Sequence, residues 1–290
     1  MKSSTTASVG NDMWVIEPSH RMGVAGEIRE LWRFRHVARL FSGKAVQFLY
    51  KNTQLGKPWI VLRPVLPIII GALVFGEVMQ LPSLHVPYFL FLLSGTIAWT
   101  AFARSLNWAT RSLERNRQLV RKIYLPREIL PPTAMAAGAV EVLVLIGVLA
   151  CVIGYYGLAE GQWYLPPRWG VPVALLSLGL AMALALAIGW FTAIWQAFAR
   201  DTRFIVGWIL GFWTYFTPVI YPLEHIPPRW RIVALLNPLT SVVEAFRAAT
   251  IGAGTVMWPW LAWSAAVAIV GSVIGAMYFK RAIGNAADRL

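Results

Sequence analysis

Side chains able to do chemistry are sparse in this chain and stand apart from one another. His20, His36, His85 and His225 are scattered, and none falls in an apolar stretch beside a carboxylate. No group of Cys and His has the spacing of a metal site. The lone cysteine, Cys151, has no internal disulfide partner, and a single thiol within an apolar stretch is ordinarily a small packing residue. The phosphate-cradling pattern G-x-x-x-x-G-K-[ST] is absent, since SGKA at 42–45 lacks both the upstream glycine and the following hydroxyl residue. The chain therefore does not hydrolyse ATP by that route, and work that needs energy requires a partner. A transferase acting on lipid-linked sugars would need paired carboxylates or an intramembrane histidine near a pocket, and neither is found. The expectation is a protein without catalytic residues, a metal or a cofactor of its own.

Two other features carry chemistry. Glu141 is the one acid deep in an apolar stretch. A charge at the centre of a bilayer costs about 2.5–3.5 kcal/mol on insertion scales, so Glu141 is expected against the interior, a watery path or a basic partner such as Arg63 or Arg104. A proton relay would need several such groups. The second feature is an excess of aromatics, 15 Trp, 14 Phe and 9 Tyr. Tyr88, Phe91, Trp99 and Phe102 share a broad face of one apolar stretch, and Trp208, Phe212, Tyr215 and Phe216 share a face of another at helical spacing. Such faces stack on sugar rings and let a chain slide where fixed charges would hold it. Taken singly, the same residues serve as packing or as interfacial anchors.

The elements that must position these residues are membrane spans. With 58% hydrophobic residues, 13% charged and a mean hydropathy of +0.59, the chain belongs in a bilayer. About 20 apolar residues in a helix rise roughly 30 Å, enough to cross the hydrocarbon core. Six windows meet this length: 59–80, 87–107, 133–156, 171–196, 204–222 and 256–279. No period-two alternation of the kind seen in outer-membrane strands appears, so the class is an all-α integral membrane protein with six transmembrane helices.

The N-terminus has no apolar run of signal-peptide type. Residues 1–27 are expected as a cytoplasmic tail, 28–58 as an amphipathic interfacial segment, 59–280 as the six-span domain and 281–290 as a second cytoplasmic tail. Of the 26 Lys and Arg residues, only Arg168, Arg229, Arg231 and Arg247 then fall on the outer side, as the positive-inside rule requires. The net charge of +13 thus reports topology and attraction to anionic phospholipid, and not a nucleic-acid partner.

Three segments outside the spans stand out. In residues 28–51, Leu31, Phe34, Ala38, Phe41, Ala45 and Phe48 form one stripe, while Arg29, Arg33, His36, Arg39 and Lys44 gather opposite. This suits a helix lying on the inner leaflet or one packed on the protein itself. The loop 110–132 is strongly basic yet keeps Leu113, Leu119, Val120, Ile123, Tyr124 and Leu125, a mixture that suits either docking or plain topology. Residues 217–231, TPVIYPLEHIPPRWR, place Pro218, Pro222, Pro227 and Pro228 in an otherwise apolar run.

The stretches VQFLYKNTQLGKPWIVLRPVLPI (46–68), NRQLVRKIYLPREILP (116–131) and TPVIYPLEHIPPRWRIVALLNPLTSVVEAFR (217–247) resemble the membrane subunit of ABC-type polysaccharide and polyol-phosphate exporters, of the O-antigen exporter type. The resemblance covers residues from about 30 to 280. It implies a homodimer of six-span permeases in the bacterial inner membrane, both termini cytoplasmic, above two copies of an ABC ATPase that binds ATP and Mg. It assigns ATPase coupling to Arg121, Lys122, Tyr124, Pro126, Arg127 and Glu128. It makes the aromatic faces, Tyr88, Trp99, Phe102, Trp208, Phe212, Tyr215 and Phe216, a conduit for a lipid-linked glycan. Arg29, Arg33, Arg39 and Lys44 would attract the lipid pyrophosphate.

The same resemblance turns residues 222–250 into two short helices that re-enter the outer leaflet as a gate. Pro218 and Pro222 would end the fifth span, Pro227 and Pro228 would start the first short helix, and Asn237 and Pro238 would break it from the second. An exporter of drugs or small lipids has the same broad architecture and is the nearest alternative.

Overall fold

The structure, a computed structural model, describes residues 35–49, 58–118 and 127–287. All of these but Arg35 belong to one compact unit, His36–Leu290. Every regular element among them is helical. The first, α1 (Arg35–Phe48), is followed by α2 (Pro58–Gly71), which runs on as a π-helical segment over Ala72–Val78. Pro64 and Pro67 lie inside α2, where each removes a ladder donor.

The remaining helices are α3 (Tyr88–Thr110), α4 (Ser112–Arg115), α5 (Leu130–Ala134), α6 (Ala136–Ala159), α7 (Gly170–Phe198), α8 (Thr202–Phe216), α9 (Pro228–Leu236), α10 (Pro238–Ile251) and α11 (Trp258–Ala287). Five stretches of helix among the described residues are long and apolar enough to cross a membrane: Val61–Val78, Tyr88–Thr110, Arg127–Ala159, Gly170–Phe198 and Trp258–Gly284. The pair α9 and α10 qualifies jointly, bent by 96°.

The window 204–222 differs from expectation. Its helix, α8, has 15 residues, about 22 Å at 1.5 Å per residue. It stops because Thr217 precedes a proline and turns extended, at φ −104° and ψ 136°. The chain then makes an excursion and comes back: Asn237 Nδ2 donates to Thr217 Oγ1 at 2.9 Å.

The core is centred on α3, whose Leu90, Phe91, Leu93, Ile97 and Phe102 are fully buried among α6, α7 and α10. In a bilayer, helices gain by close backbone approach at small residues. Here Gly138 of α6 lies against the backbone of Arg104 and Ser105, Gly189 of α7 against Ala109, and Gly275 of α11 against the Ala187 carbonyl and Trp190. Glu141 is paired inside this core with Arg104, Nε to Oε2 at 2.9 Å. Cys151 is exposed on α6 and does not pack in the core.

The ends of α3, α7 and α11 mark one pole of the fold, the basic end. The start of α7 marks the other, where Gly170 lies against the Ala249 carbonyl of α10.

Candidate functional site

Two places combine unusual residues with unusual geometry. The first is the basic end. The loop 110–132 is described at its two flanks, and both are anchored: Leu113 of α4 and Leu130 of α5 are fully buried with Trp190 and Ile194 of α7 and Phe279 of α11. Arg127 Nη1 donates to the Ile283 carbonyl of α11 at 3.4 Å, and Glu128 is half-buried beside it. Arg121, Lys122, Tyr124 and Pro126, like Arg29 and Arg33, lie outside the described residues.

Helix α1 docks on this end. Phe41 packs against the cluster of Leu113 and Leu130, and Ala45 and Leu49 against Trp108, Ala134 and Ala137. The stripe read from sequence is thus partly a protein contact, although Phe48 stays exposed. Arg39 and Lys44 are exposed, and Lys44 Nζ reaches Asn116 Oδ1 at 3.5 Å. Arg115 closes the joint, its guanidinium 3.7 Å from the Trp108 ring centroid and 5.5 Å from that of Phe48. Burial, and secondarily Arg111, pushes its pKa down to about 10 against the pull of Glu114. It remains charged at neutral pH.

The second place is a cleft between α8 and the segment carrying α9, with a volume of about 890 Å³. Trp208, Phe212, Phe216 and Trp230 form its aromatic walls, and Tyr221, His225 and Asn237 add polar atoms. Trp208 and Phe216 are each 72% exposed. A helix so short and so thinly packed presents most of its apolar surface outward.

The conduit residues expected from sequence divide into two groups. Trp208, Phe212 and Phe216 line the cleft, while Tyr215 lies outside its lining and accepts from the Tyr221 hydroxyl through its carbonyl at 2.7 Å. The α3 residues do not join them, which corrects the single aromatic path. Phe102 is fully buried and Trp99 is 8% exposed, because α3 is the centre of the core. Phe102 stacks edge-on with Trp213 at 5.3 Å. Tyr88 donates its hydroxyl to the Ile220 carbonyl at 2.7 Å and so ties the start of α3 to the segment after α8.

The proline signals fall where local chemistry places them. Pro218 follows the end of α8, Pro222 precedes a short turn of 3₁₀ helix, Pro227 caps α9 and Pro228 opens it, and Pro238 opens α10. Asn237 is the joint. Its Oδ1 accepts from the Leu239 amide at 3.2 Å and from Trp213 Nε1 at 3.3 Å, so one side chain caps α10 and holds α8.

Sequence reasoning missed Arg247 and Gln196. Arg247, counted on the outer side with no role, is fully buried and paired with Glu244; an i,i+3 acid and base in an otherwise uncharged helix was the available signal. Gln196 is 2% exposed and carries no charge, so a search for charge-free windows passed over it. Among the described residues, no three of His, Cys, Asp and Glu gather as a metal site.

The chain is similar to O-antigen export system permease proteins. That of Myxococcus xanthus is 26% identical over 76% of this chain and 82% of its own length. One from Klebsiella pneumoniae is 25% identical over 83% of this chain and 90% of its own length. The polysialic acid transport protein of Escherichia coli is 25% identical over 71% and 78%. Residues 39–251, from within α1 to the end of α10, match the ABC-2 type transporter family, and with its membrane-length helices around a buried α3 the chain belongs to that family of multi-pass membrane proteins.

Proposed function

We propose that this chain is the permease subunit of an ATP-driven exporter that moves a lipid-linked glycan of O-antigen type from the cytoplasmic to the outer face of the bacterial inner membrane. Its basic end faces the cytoplasm, with both termini there, and two copies of the chain work with two copies of a separate ABC ATPase that binds ATP and Mg. Three relatives named for O-antigen or polysialic acid export support the substrate class. The observation that carries the reading is the aromatic cleft of α8 and α9. Its flat apolar faces with few fixed charges suit sugar rings that must be held weakly and released.

In this reading the lipid-linked glycan arrives from the inner leaflet, where Arg39 and Lys44 of α1, with Arg29 and Arg33 before it, attract its pyrophosphate and the anionic phospholipid around it. The ATPase docks on the loop through Arg121, Lys122, Tyr124, Pro126, Arg127 and Glu128. Because Leu113 and Leu130 seat the loop's flanks against α7 and α11, a push on the loop displaces those helices and does not merely bend the loop. The glycan then passes along Trp208, Phe212 and Phe216 of two facing copies. The α9–α10 pair closes the exit, its half-buried joint at Asn237 held by hydrogen bonds to Trp213 and Thr217, in keeping with the rule that non-helical backbone at membrane depth lies against protein or a water-filled cavity.

The test is reconstitution in liposomes with a candidate ABC ATPase partner, followed by addition of lipid-linked glycan. Stimulated ATP turnover is expected. The mainly apolar cleft lining favours one rival, a drug or small-lipid exporter, which a response to small amphiphiles but not to glycan would select. Failure to form any complex would sink both.

A further inference from the structure

At the basic end, α7 presents Gly189, Thr192 and Gln196 at spacings of three and four, which places them on one face. Gly189 is pressed so closely on Ala109 that an added Cβ would stand 2.7 Å from its methyl. One turn on, the Thr192 and Thr110 hydroxyls share a hydrogen bond of 2.7 Å. A further turn on, Gln196 meets Glu114 of α4. The seam therefore continues from α3 into the helix that flanks the basic loop.

Both ends of the buried Gln196 amide are occupied. Nε2 donates to Glu114 Oε2 at 2.9 Å and to the Arg200 carbonyl at 3.3 Å, and Oε1 accepts from the backbone N–H of Arg203 at 2.8 Å. That last donor belongs to the first turn of α8, where helices leave N–H groups without partners. Asp201, in the N-cap position, makes no side-chain cap bond, so Gln196 supplies from another helix the acceptor that a cap would provide. Arg203 Nη1 also stands 3.6 Å from Glu114 Oε1, which closes the circuit.

We infer that Gln196 is the positioning residue that links α4 to α8, so that a displacement of Glu114 at the basic end reaches the first turn of the helix that walls the aromatic cleft through a buried amide, with the Arg203–Glu114 ion pair beside it. A buried amide suits this role because its donor and acceptor ends are rigidly opposed, and losing either partner leaves a desolvated polar group. The inference rests on the export reading for its purpose, but the link itself lies in described, contiguous hydrogen bonds, the kind of network whose coupling must be measured and not assumed.

The substitution Q196E keeps an acceptor for the Arg203 amide but sets a carboxylate against Glu114, so it preserves the cap and breaks the amide link while leaving the Arg203–Glu114 ion pair. The exchange E114Q/Q196E restores a donor–acceptor pair with its sense reversed. The permease–ATPase complex in liposomes is read in two ways: glycan stimulation of ATP turnover, and the ATP-dependent change in hydrogen exchange over residues 202–216. Q196E is expected to lower stimulation about tenfold, to abolish the exchange response and to lower the thermal midpoint, since it loses two buried donor bonds; the double variant is expected to recover stimulation and the exchange response to within about twofold, as a coupled pair should.

If Q196E does not assemble, E114A, which leaves the α8 cap intact, is expected to show the same two losses. Wild-type coupling in Q196E or E114A, or no recovery in the exchange, overturns the link while the export reading stands. An exchange response that depends on Gln196 without any glycan stimulation leaves the link standing and overturns the export reading.

Discussion

Arg247 and Glu244, one turn apart on α10, form an ion pair of 2.6 Å with both side chains buried. The guanidinium also donates to the carbonyls of Pro218 at 3.0 Å and Val219 at 3.3 Å and lies 3.8 Å from the Phe91 ring centroid. Once α8 has ended, the carbonyls after it have no ladder partner, and at membrane depth an orphan acceptor is costly. Arg247 answers that cost and fastens the broken end of α8 to α10 and α3. Removing one member of a buried pair typically costs about 3–5 kcal/mol, whereas neutralising both costs much less. R247M is therefore expected to lower the thermal midpoint of the purified permease sharply, and E244Q/R247M to recover part of the loss. A single variant as stable as wild type would count against the latch.

The space for that guanidinium comes from Gly95, where a Cβ would stand 2.6 Å from Arg247 Nη2 and 3.0 Å from the Val219 carbonyl oxygen. G95A is expected to behave like R247M in thermal unfolding, because the methyl and the guanidinium compete for one volume. G189A, pressed on Ala109, should cost about 1–3 kcal/mol by overpacking. G179A is the control: a Cβ there meets nothing within 4 Å, so its midpoint should hold or rise slightly with helix propensity.

Aromatic substitutions should separate by helix. W99A removes a side chain that is 8% exposed and packed on Phe102 at 5.6 Å between centroids, so it should cost about 3–5 kcal/mol of stability. W208A and F212A remove exposed cleft walls and should leave the midpoint near wild type while slowing glycan export several-fold. Radiolabelled glycan appearing inside inverted vesicles gives the rate. Equal effects of W99A and W208A on both quantities would undo the distinction.

Charge reversal at Arg121, Lys122 and Arg127 should uncouple ATP turnover from export without dispersing the permease fold. Only Arg127 has a described contact to lose, its bond to the Ile283 carbonyl. R127A alone should therefore cost little stability, since a half-exposed hydrogen bond contributes about 0.5–1.5 kcal/mol. Export at full rate in the triple reversal would remove these residues from coupling.

Much of the architecture was legible along the chain because burial in a bilayer is a local, one-dimensional requirement. The long apolar runs, the prolines at 218, 222, 227, 228 and 238, and the need of Glu141 for a basic partner follow from hydrophobicity, missing amide hydrogens and the cost of a lone charge, while packing chose Arg104 over Arg63. Distances between helices were not legible, since no local property of Trp99, Phe102 or Arg247 says which neighbours will surround it. The periodicity of α3 and that of α8 look alike as sequence, yet only packing made α3 the buried centre and left α8 bare. Gln196 shows the same limit in reverse: an uncharged residue inside an apolar run acquires its meaning from Glu114 and Arg203, which reach it only when three helix ends converge. The sequence by itself determined that the chain spans a membrane and where its helices break; tertiary contact decided which aromatics are core and which are cleft, and which polar groups are joined, because those depend on what other segments bring to the same point in space.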